Sequence, residues 1–173
     1  IAGQIWKLML NSEYGVINYL LNKIGIDSVT WLGPDMAFSS MILIDIWQWT
    51  PYVALILYSG LRSIPMECYE TAAVEGAGRF QAFRYVTIPL LRPVLLIAVL
   101  FRSIDCLKTF DIPYVLTQGG PGNLTEFMSL HIYRLGFAQT GFIGRAAAMS
   151  VVLSMIITVL SNFLIGRMRR KED

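Results

Sequence analysis

Three long stretches of the chain are apolar with few interruptions, and amphipathic or heavily punctuated segments separate them. A helix needs about 20 mostly apolar residues to cross a bilayer. Residues 37–58 meet that requirement with a single charge, Asp45, and a single proline, Pro51. Residues 142–166 meet it with an uncharged run from Ala146 to Gly166. Residues 93–115 open on nine uncharged positions, Pro93–Phe101, and then carry Arg102, Asp105, Lys108 and Asp111. That third stretch can span only if its outer half faces protein or water. The pattern therefore predicts an all-α integral membrane protein with three transmembrane helices.

Composition sharpens this picture. Hydrophobic residues make up 55% of the 173 positions and charged residues only 15%, against about 25% charged in a soluble domain. Such a chain cannot clothe a water-facing surface, which excludes an ordinary soluble enzyme. The net charge is +2 with no basic block before the C-terminus, so no nucleic-acid partner is expected. Cys68 and Cys106 stand far apart without CxxC spacing, and no metal site is expected. The chain begins at Ile1 and shows no signal-peptide pattern, which gives the expectation of a piece of a longer protein.

Basic residues in the connections orient membrane helices. Arg62, Arg79, Arg84 and Arg92 lie between the first two spans, and Arg167, Arg169, Arg170 and Lys171 come after the last. The other connections hold only Lys7, Lys23, Arg134 and Arg145. The loop 59–92 and the tail 167–173 are accordingly expected inside, in the cytoplasm. Residues 1–36 and 116–141 are expected outside, which requires at least one further span upstream. The segment 1–36 is amphipathic, with Trp6, Tyr14 and Tyr19 among aliphatic residues, and reads as an outer interfacial segment. In the outer loop Gly119, Gly120 and Pro121 force a turn, and 125–140 reads as a short helix. His131, the single histidine, reads as an ordinary partly buried residue.

Charges within spans are costly, about 2.5–3.5 kcal/mol each at a helix centre. Arg102, Asp105, Lys108 and Asp111 recur every three residues with alternating sign, so neighbours can pair along a helix. At 1.5 Å per residue Arg102 would stand about 14 Å above Pro93, and Asp111 about 27 Å. They read either as a polar wall of a translocation path or as a network holding helices together. The first span adds Asp45, Trp47, Gln48, Trp49 and Tyr52, a set of hydrogen-bonding groups and rings suited to a sugar. Pro51 is expected to break the helix there, which is tolerated where a cavity is lined.

The inner loop is more than a connector. Pro65 suits the first turn of a helix. Helical spacing then puts Tyr69, Ala72, Ala73, Gly76 and Ala77 on one face of small residues and one ring. Gly76 and Gly78 end or bend that helix, Arg79–Val86 can form a second, and Pro89 and Pro93 re-aim the chain. A small-residue face can dock into a partner or pack on its own chain, and periodicity leaves both open.

Glu70-Thr71-Ala72, then Gly76, then Val86-Thr87-Ile88-Pro89, resembles the cytoplasmic "EAA" loop of ABC importer permeases. Thr71 replaces an alanine of that pattern, Val86 an isoleucine and Ile88 a leucine, and Glu75 stands where many members have aspartate. Residues 108–137, with the Gly119-Gly120-Pro121 block, and residues 31–65 resemble the carbohydrate-uptake branch of the same permeases. The resemblance implies the ABC importer permease fold in a bacterial or archaeal inner membrane. It implies transport by alternating access, with Tyr69, Glu70, Ala72, Ala73, Glu75, Gly76, Ala77, Ile88 and Pro89 forming a coupling loop. Glu70 would pair with an ATPase, Gly76 would turn the loop and Pro89 would join it to the next span. The implied partners are a second permease subunit, a pair of cytoplasmic ATPase subunits, an extracytoplasmic solute-binding protein, a carbohydrate and membrane lipid. ATP and Mg would be bound by the ATPase and no cofactor by this chain, which lacks a Gly-Lys-Ser/Thr phosphate loop. Glycerol phosphates or polyamines are alternative cargoes, and a scaffold or channel without ATP coupling is the alternative class.

Overall fold

The structure is a computed structural model that describes residues 1–139 and 141–169, with side chains as far as Gly166. The basic tail 167–173 and Thr140 lie outside the fully described residues. The chain is helical and, among the described residues, contains no strand. In order the helices are α1 (Ala2–Met9), α2 (Val16–Lys23), α3 (Ala37–Arg62), α4 (Met66–Val74), α5 (Arg79–Ala82), α6 (Ile88–Leu107), α7 (Asp111–Leu116), α8 (Met128–Tyr133) and α9 (Ile143–Arg169). Widened π turns extend α5, over Phe83–Thr87, and α8, over Arg134–Ala138. Among the described residues α3 and α9 are long and apolar enough to cross a membrane.

Two compact units divide the chain: Ile1–Trp49 with Cys106–Ile157, and Thr50–Asp105 with Thr158–Asp173. The first has a core of Leu10, Met41, Ile44, Ile112 and Leu116, with Trp6, Ile17, Trp31, Leu32 and Phe127 packed around it. The N-terminal segment is therefore bound down by its own apolar face rather than free along its length. Asn18 secures it: the buried amide accepts from Trp31 Nε1 at 2.8 Å and Val29 N at 3.2 Å, and donates to the Val29 and Ser12 carbonyls. Ser40 on α3 donates to the Trp31 carbonyl at 2.8 Å, which ties that segment to the helix.

The second unit turns on a close approach. A Cβ at Gly60 would lie 2.8 Å from Leu91 Cδ1 and 2.9 Å from both Val94 methyls, so α3 meets α6 so closely that any side chain there must displace Leu91 and Val94. Small residues at such crossings let helices pack where lipid removes the ordinary hydrophobic drive.

Three expectations about helix limits are corrected. The helix expected over 93–115 begins at Ile88, ends at Leu107, and gives way to the separate α7. Pro93 lies inside α6 and Pro89 just after the π turn, and the backbone stays helical through both, so neither re-aims the chain. The π turn covers Tyr85, whose carbonyl a proline ring at 89 would meet in a regular helix, and the widened turn relieves that clash. Pro51 likewise lies inside a continuous α3, where it removes the donor for the Trp47 carbonyl without ending the helix.

Candidate functional site

The loop after α3 is built by local rules. Pro65 is the N-cap of α4 rather than a first-turn residue, in extended backbone with φ −60° and ψ 139°. Glu67 in the first turn complements the positive helix end. The far end closes as a Schellman motif: Ala77 N–H donates to the Ala72 carbonyl at 2.9 Å and Gly76 N–H to the Ala73 carbonyl at 3.0 Å. Gly76 holds the left-handed position this needs, with φ +81°. Gly78 then caps α5, and its N–H is taken by Gln81 Oε1 at 2.9 Å.

This geometry sorts the sequence candidates. Ala72 is buried, and Tyr69, Ala77 and Ile88 are half-buried. Glu70, Ala73, Glu75, Gly76 and Pro89 are exposed. The single small-residue face is thus divided: Ala72 and Tyr69 turn to their own chain while Ala73 and Gly76 turn out. Two further exposed side chains, Met66 at 71% and Val74 at 89%, share the outer face with Glu70 at helical spacing. They carried no motif; their signal was an apolar residue four before and four after an exposed glutamate.

In the first unit Asp45 is half-buried in a cavity of about 250 Å³. Its other polar lining comes from Cys106 and Thr109, and its apolar walls include Met41, Ile42 and Ile112. Phe38 and Phe127, also in the lining, stack at 6.3 Å with an interplanar angle of 20°. Cys106 and Thr109 were not singled out by sequence reasoning, because nothing marks one thiol or hydroxyl in a charged stretch. Trp47 lies elsewhere, edge-on to Trp6 at 5.3 Å. Gln48 is exposed and Trp49 half-buried.

The four charges after Phe101 do not share one helix. Arg102 and Asp105 are half-buried on α6 in the second unit. Lys108 is exposed just past the end of α6, and Asp111 is exposed at the start of α7. Asp111 there faces the positive end of its own helix, so the four charges expected along one span are divided between α6, the link after it and α7. Tyr52, in the second unit, is 43% exposed.

The loop after α7 is a locked turn. Gly119 has φ +86°, and the Gly120–Pro121 peptide is cis. Buried Thr125 donates to the Gly120 carbonyl at 2.6 Å and meets Thr117 Oγ1 at 2.7 Å. Glu126, overlooked in the sequence, is its clamp: Oε1 lies 2.7 Å from His131 Nδ1 and Oε2 2.7 Å from Arg134 Nη1. The Asn123 amide, turned with its nitrogen inward, donates to Glu126 Oε2 at 3.0 Å. His131, with its side chain 44% exposed, is thus a half-covered partner of a carboxylate. Beside this clamp the Tyr133 phenol is held above its ordinary pKa of 10.0, chiefly by its hydrogen bond with Tyr114.

Residues 9–171 match the family described as binding-protein-dependent transport system inner membrane component. The chain is similar to the trehalose/maltose transport system permease protein MalF of Thermococcus litoralis, 42% identical over 98% of this chain and 58% of that protein. It is similar to the sulfoquinovosyl glycerol transport system permease protein SmoG of Agrobacterium fabrum, 38% identical over 92% of this chain and 53% of the relative. A crystal structure of a bacterial ABC transporter involved in the import of the acidic polysaccharide alginate superposes with a TM-score of 0.89. That match has 26% identity and covers 98% of this chain and 59% of the solved one. The chain thus spans under two thirds of the proteins it resembles. On its sequence, its helices and these matches, the chain belongs to the family of inner membrane components of binding-protein-dependent transport systems.

Proposed function

We propose that the chain is a permease subunit of an ATP-driven, binding-protein-dependent importer of carbohydrates. It carries solute by alternating access and is not itself catalytic. α4 would seat in a cytoplasmic ATPase subunit, one of a pair that hydrolyses ATP with Mg. A second permease subunit would complete the membrane path, and an extracytoplasmic binding protein would deliver the sugar. In this reading the loop 59–92 and the C-terminus face the cytoplasm.

The observation that carries the proposal is α4 itself. A nine-residue helix, closed by Gly76, presents Glu70 between exposed Met66 and Val74. Apolar anchors beside one charge suit a protein groove better than water. Relatives named as permeases support the assignment. For the cargo, the cavity beside Asp45 supports a small polar solute with an apolar face, since hydroxyls can bond the carboxylate and C–H faces can pack on Phe38 and Phe127. Trp49 and Gln48 remain candidates for the path in the first unit. Tyr52, Arg102 and Asp105 are candidates in the second.

The test is Glu70→Lys in the assembled transporter. Solute-stimulated ATP hydrolysis is expected to fall at least about tenfold, since a like-charge clash at a docked carboxylate costs several kcal/mol. Unchanged stimulation, or an ATPase subunit that never co-purifies with the wild type, would contradict the proposal. An anionic carbohydrate is a second reading, favoured by the relatives named for alginate and sulfoquinovosyl glycerol. Competition of neutral against acidic sugars for uptake decides between them.

A further inference from the structure

Within the second unit, one hydrogen bond joins α4 to the helical run that becomes α6. The Tyr69 hydroxyl lies 3.0 Å from Thr87 Oγ1, eighteen residues on in the chain. Thr87 is 6% exposed and is the last residue of the π turn. Its hydroxyl also reaches the Ala82 carbonyl, five residues back, at 3.5 Å. Each hydroxyl has one proton to give. The consistent arrangement is Thr87 donating to Ala82 and Tyr69 donating to Thr87.

The placement of Tyr69 matters. Met66, Glu70, Ala73 and Val74 are exposed, while Tyr69 is half-buried beside buried Ala72. Its ring points back to its own chain, away from the face available to a partner. The resemblance placed Tyr69 among coupling-loop residues, and the geometry gives it a different duty within that loop.

α4 packs against α5 and the π turn, and two further links fasten it to the helical run that becomes α6. One is the covalent turn through Gly76–Gly78, with φ +81° at Gly76 and open space around a would-be Cβ there. The turn is held by the backbone bonds that close α4 and by Gln81 on Gly78, with no side chain packed against Gly76 itself. The other point is the Tyr69–Thr87 bond, near the middle of α4. Packing and a terminal turn still leave α4 room to pivot, and a directional bond near its middle opposes that pivot.

We infer that the Tyr69–Thr87 hydrogen bond is a latch that makes α4 and the π turn move as one body, so that displacement of α4 passes into α6 instead of being absorbed at Gly76. This rests on the reading of α4 as the coupling helix. Tyr69 is then a positioning residue that touches neither solute nor nucleotide. Thr87 is its counterpart at the foot of α6. The π turn has a use in this arrangement: it brings the Thr87 hydroxyl over the Ala82 carbonyl, so the acceptor side of Oγ1 is left for Tyr69.

The experiment uses the assembled transporter in lipid vesicles, with ATP hydrolysis and solute uptake read in the same preparation. Tyr69→Phe and Thr87→Val each remove one side of the bond at nearly constant shape, and Thr87→Ser keeps the hydroxyl. The two disrupting variants are expected to hydrolyse ATP at near wild-type rates while solute moved per ATP falls about two- to tenfold, the range one net hydrogen bond supports. Thr87→Ser is expected to transport normally. The double variant should be no worse than the worse single one, because both remove the same interaction. An unchanged coupling ratio in both single variants, or additive losses, would overturn the latch. Joint loss of hydrolysis, uptake and the bound ATPase would make Tyr69 a docking contact and also overturn it, while leaving the coupling role of α4 intact. Failure of the coupling reading itself appears separately, as insensitivity of stimulated hydrolysis to Glu70→Lys. In a background lacking Cys68 and Cys106, nitroxide labels at Val74→Cys and Arg84→Cys give a reading independent of transport. Their distance distribution should broaden in Tyr69→Phe, and an unbroadened distribution would overturn the latch.

Discussion

Two residues show how backbone and hydrogen-bond chemistry fix this molecule. Asn18 is a buried amide with its oxygen and nitrogen both occupied. Asn18→Leu keeps the volume but strands the Trp31 N–H and the Val29 amide, a penalty of about 1–3 kcal/mol for each group left without a partner. Thermal unfolding in detergent is expected to shift downward by several degrees, and the 1–36 segment should become the first site of proteolysis. Gly76 is simpler. A Cβ there meets nothing within 4 Å, so Gly76→Ala isolates the backbone cost of a left-handed L-residue, about 1–2 kcal/mol. Faster amide exchange at Gly76 and Ala77, with the rest of α4 protected, is the expected signature. For the cargo path, Trp49→Ala and Asp105→Ala are expected to lower uptake while complex yield holds; normal specific activity with lost assembly would assign them to helix packing.

Helices were more legible than their ends. The apolar run at 37–58 marked α3, and the uncharged run at 146–166 marked α9, because no other element accommodates twenty apolar residues. The limits of α6 were misplaced for a physical reason. Proline was read as a joint, yet α6 runs on through Pro93, giving up one backbone bond while the rest of the helix holds. The π turns left no periodic trace, since five residues per widened turn look like any short stretch of helix. Gly60 was passed over because its neighbour matters more than its sequence context: Leu91 and Val94 approach from thirty and more positions away. Gly60→Leu is expected to disrupt the α3–α6 contact, and overpacking of this kind costs about 1–3 kcal/mol. A drop in properly inserted, detergent-stable protein is the measurement, with Gly60→Ala intermediate.

At the scale of the whole molecule, composition alone placed the chain in a membrane, and the EAA-like run placed the family. The division of the loop's small-residue face was not legible, because a helical wheel gives which residues share a side but not which side meets the chain. Glu70 outward and Tyr69 inward is information only the fold supplies. The same holds for Glu126, whose clamp on His131 and Arg134 depends on a turn built from Thr117, Gly119 and Thr125. The most direct measurement is proximity cross-linking in the intact transporter, with single cysteines at Glu70 and, as a control, at exposed Leu124 in the loop after α7, in a background lacking Cys68 and Cys106. The Glu70→Cys chain is expected to cross-link to the ATPase subunit and to resist a membrane-impermeant thiol reagent added outside cells, while Leu124→Cys shows the reverse. Outside labelling of Glu70→Cys, or cross-links from it only within its own subunit, would contradict the account.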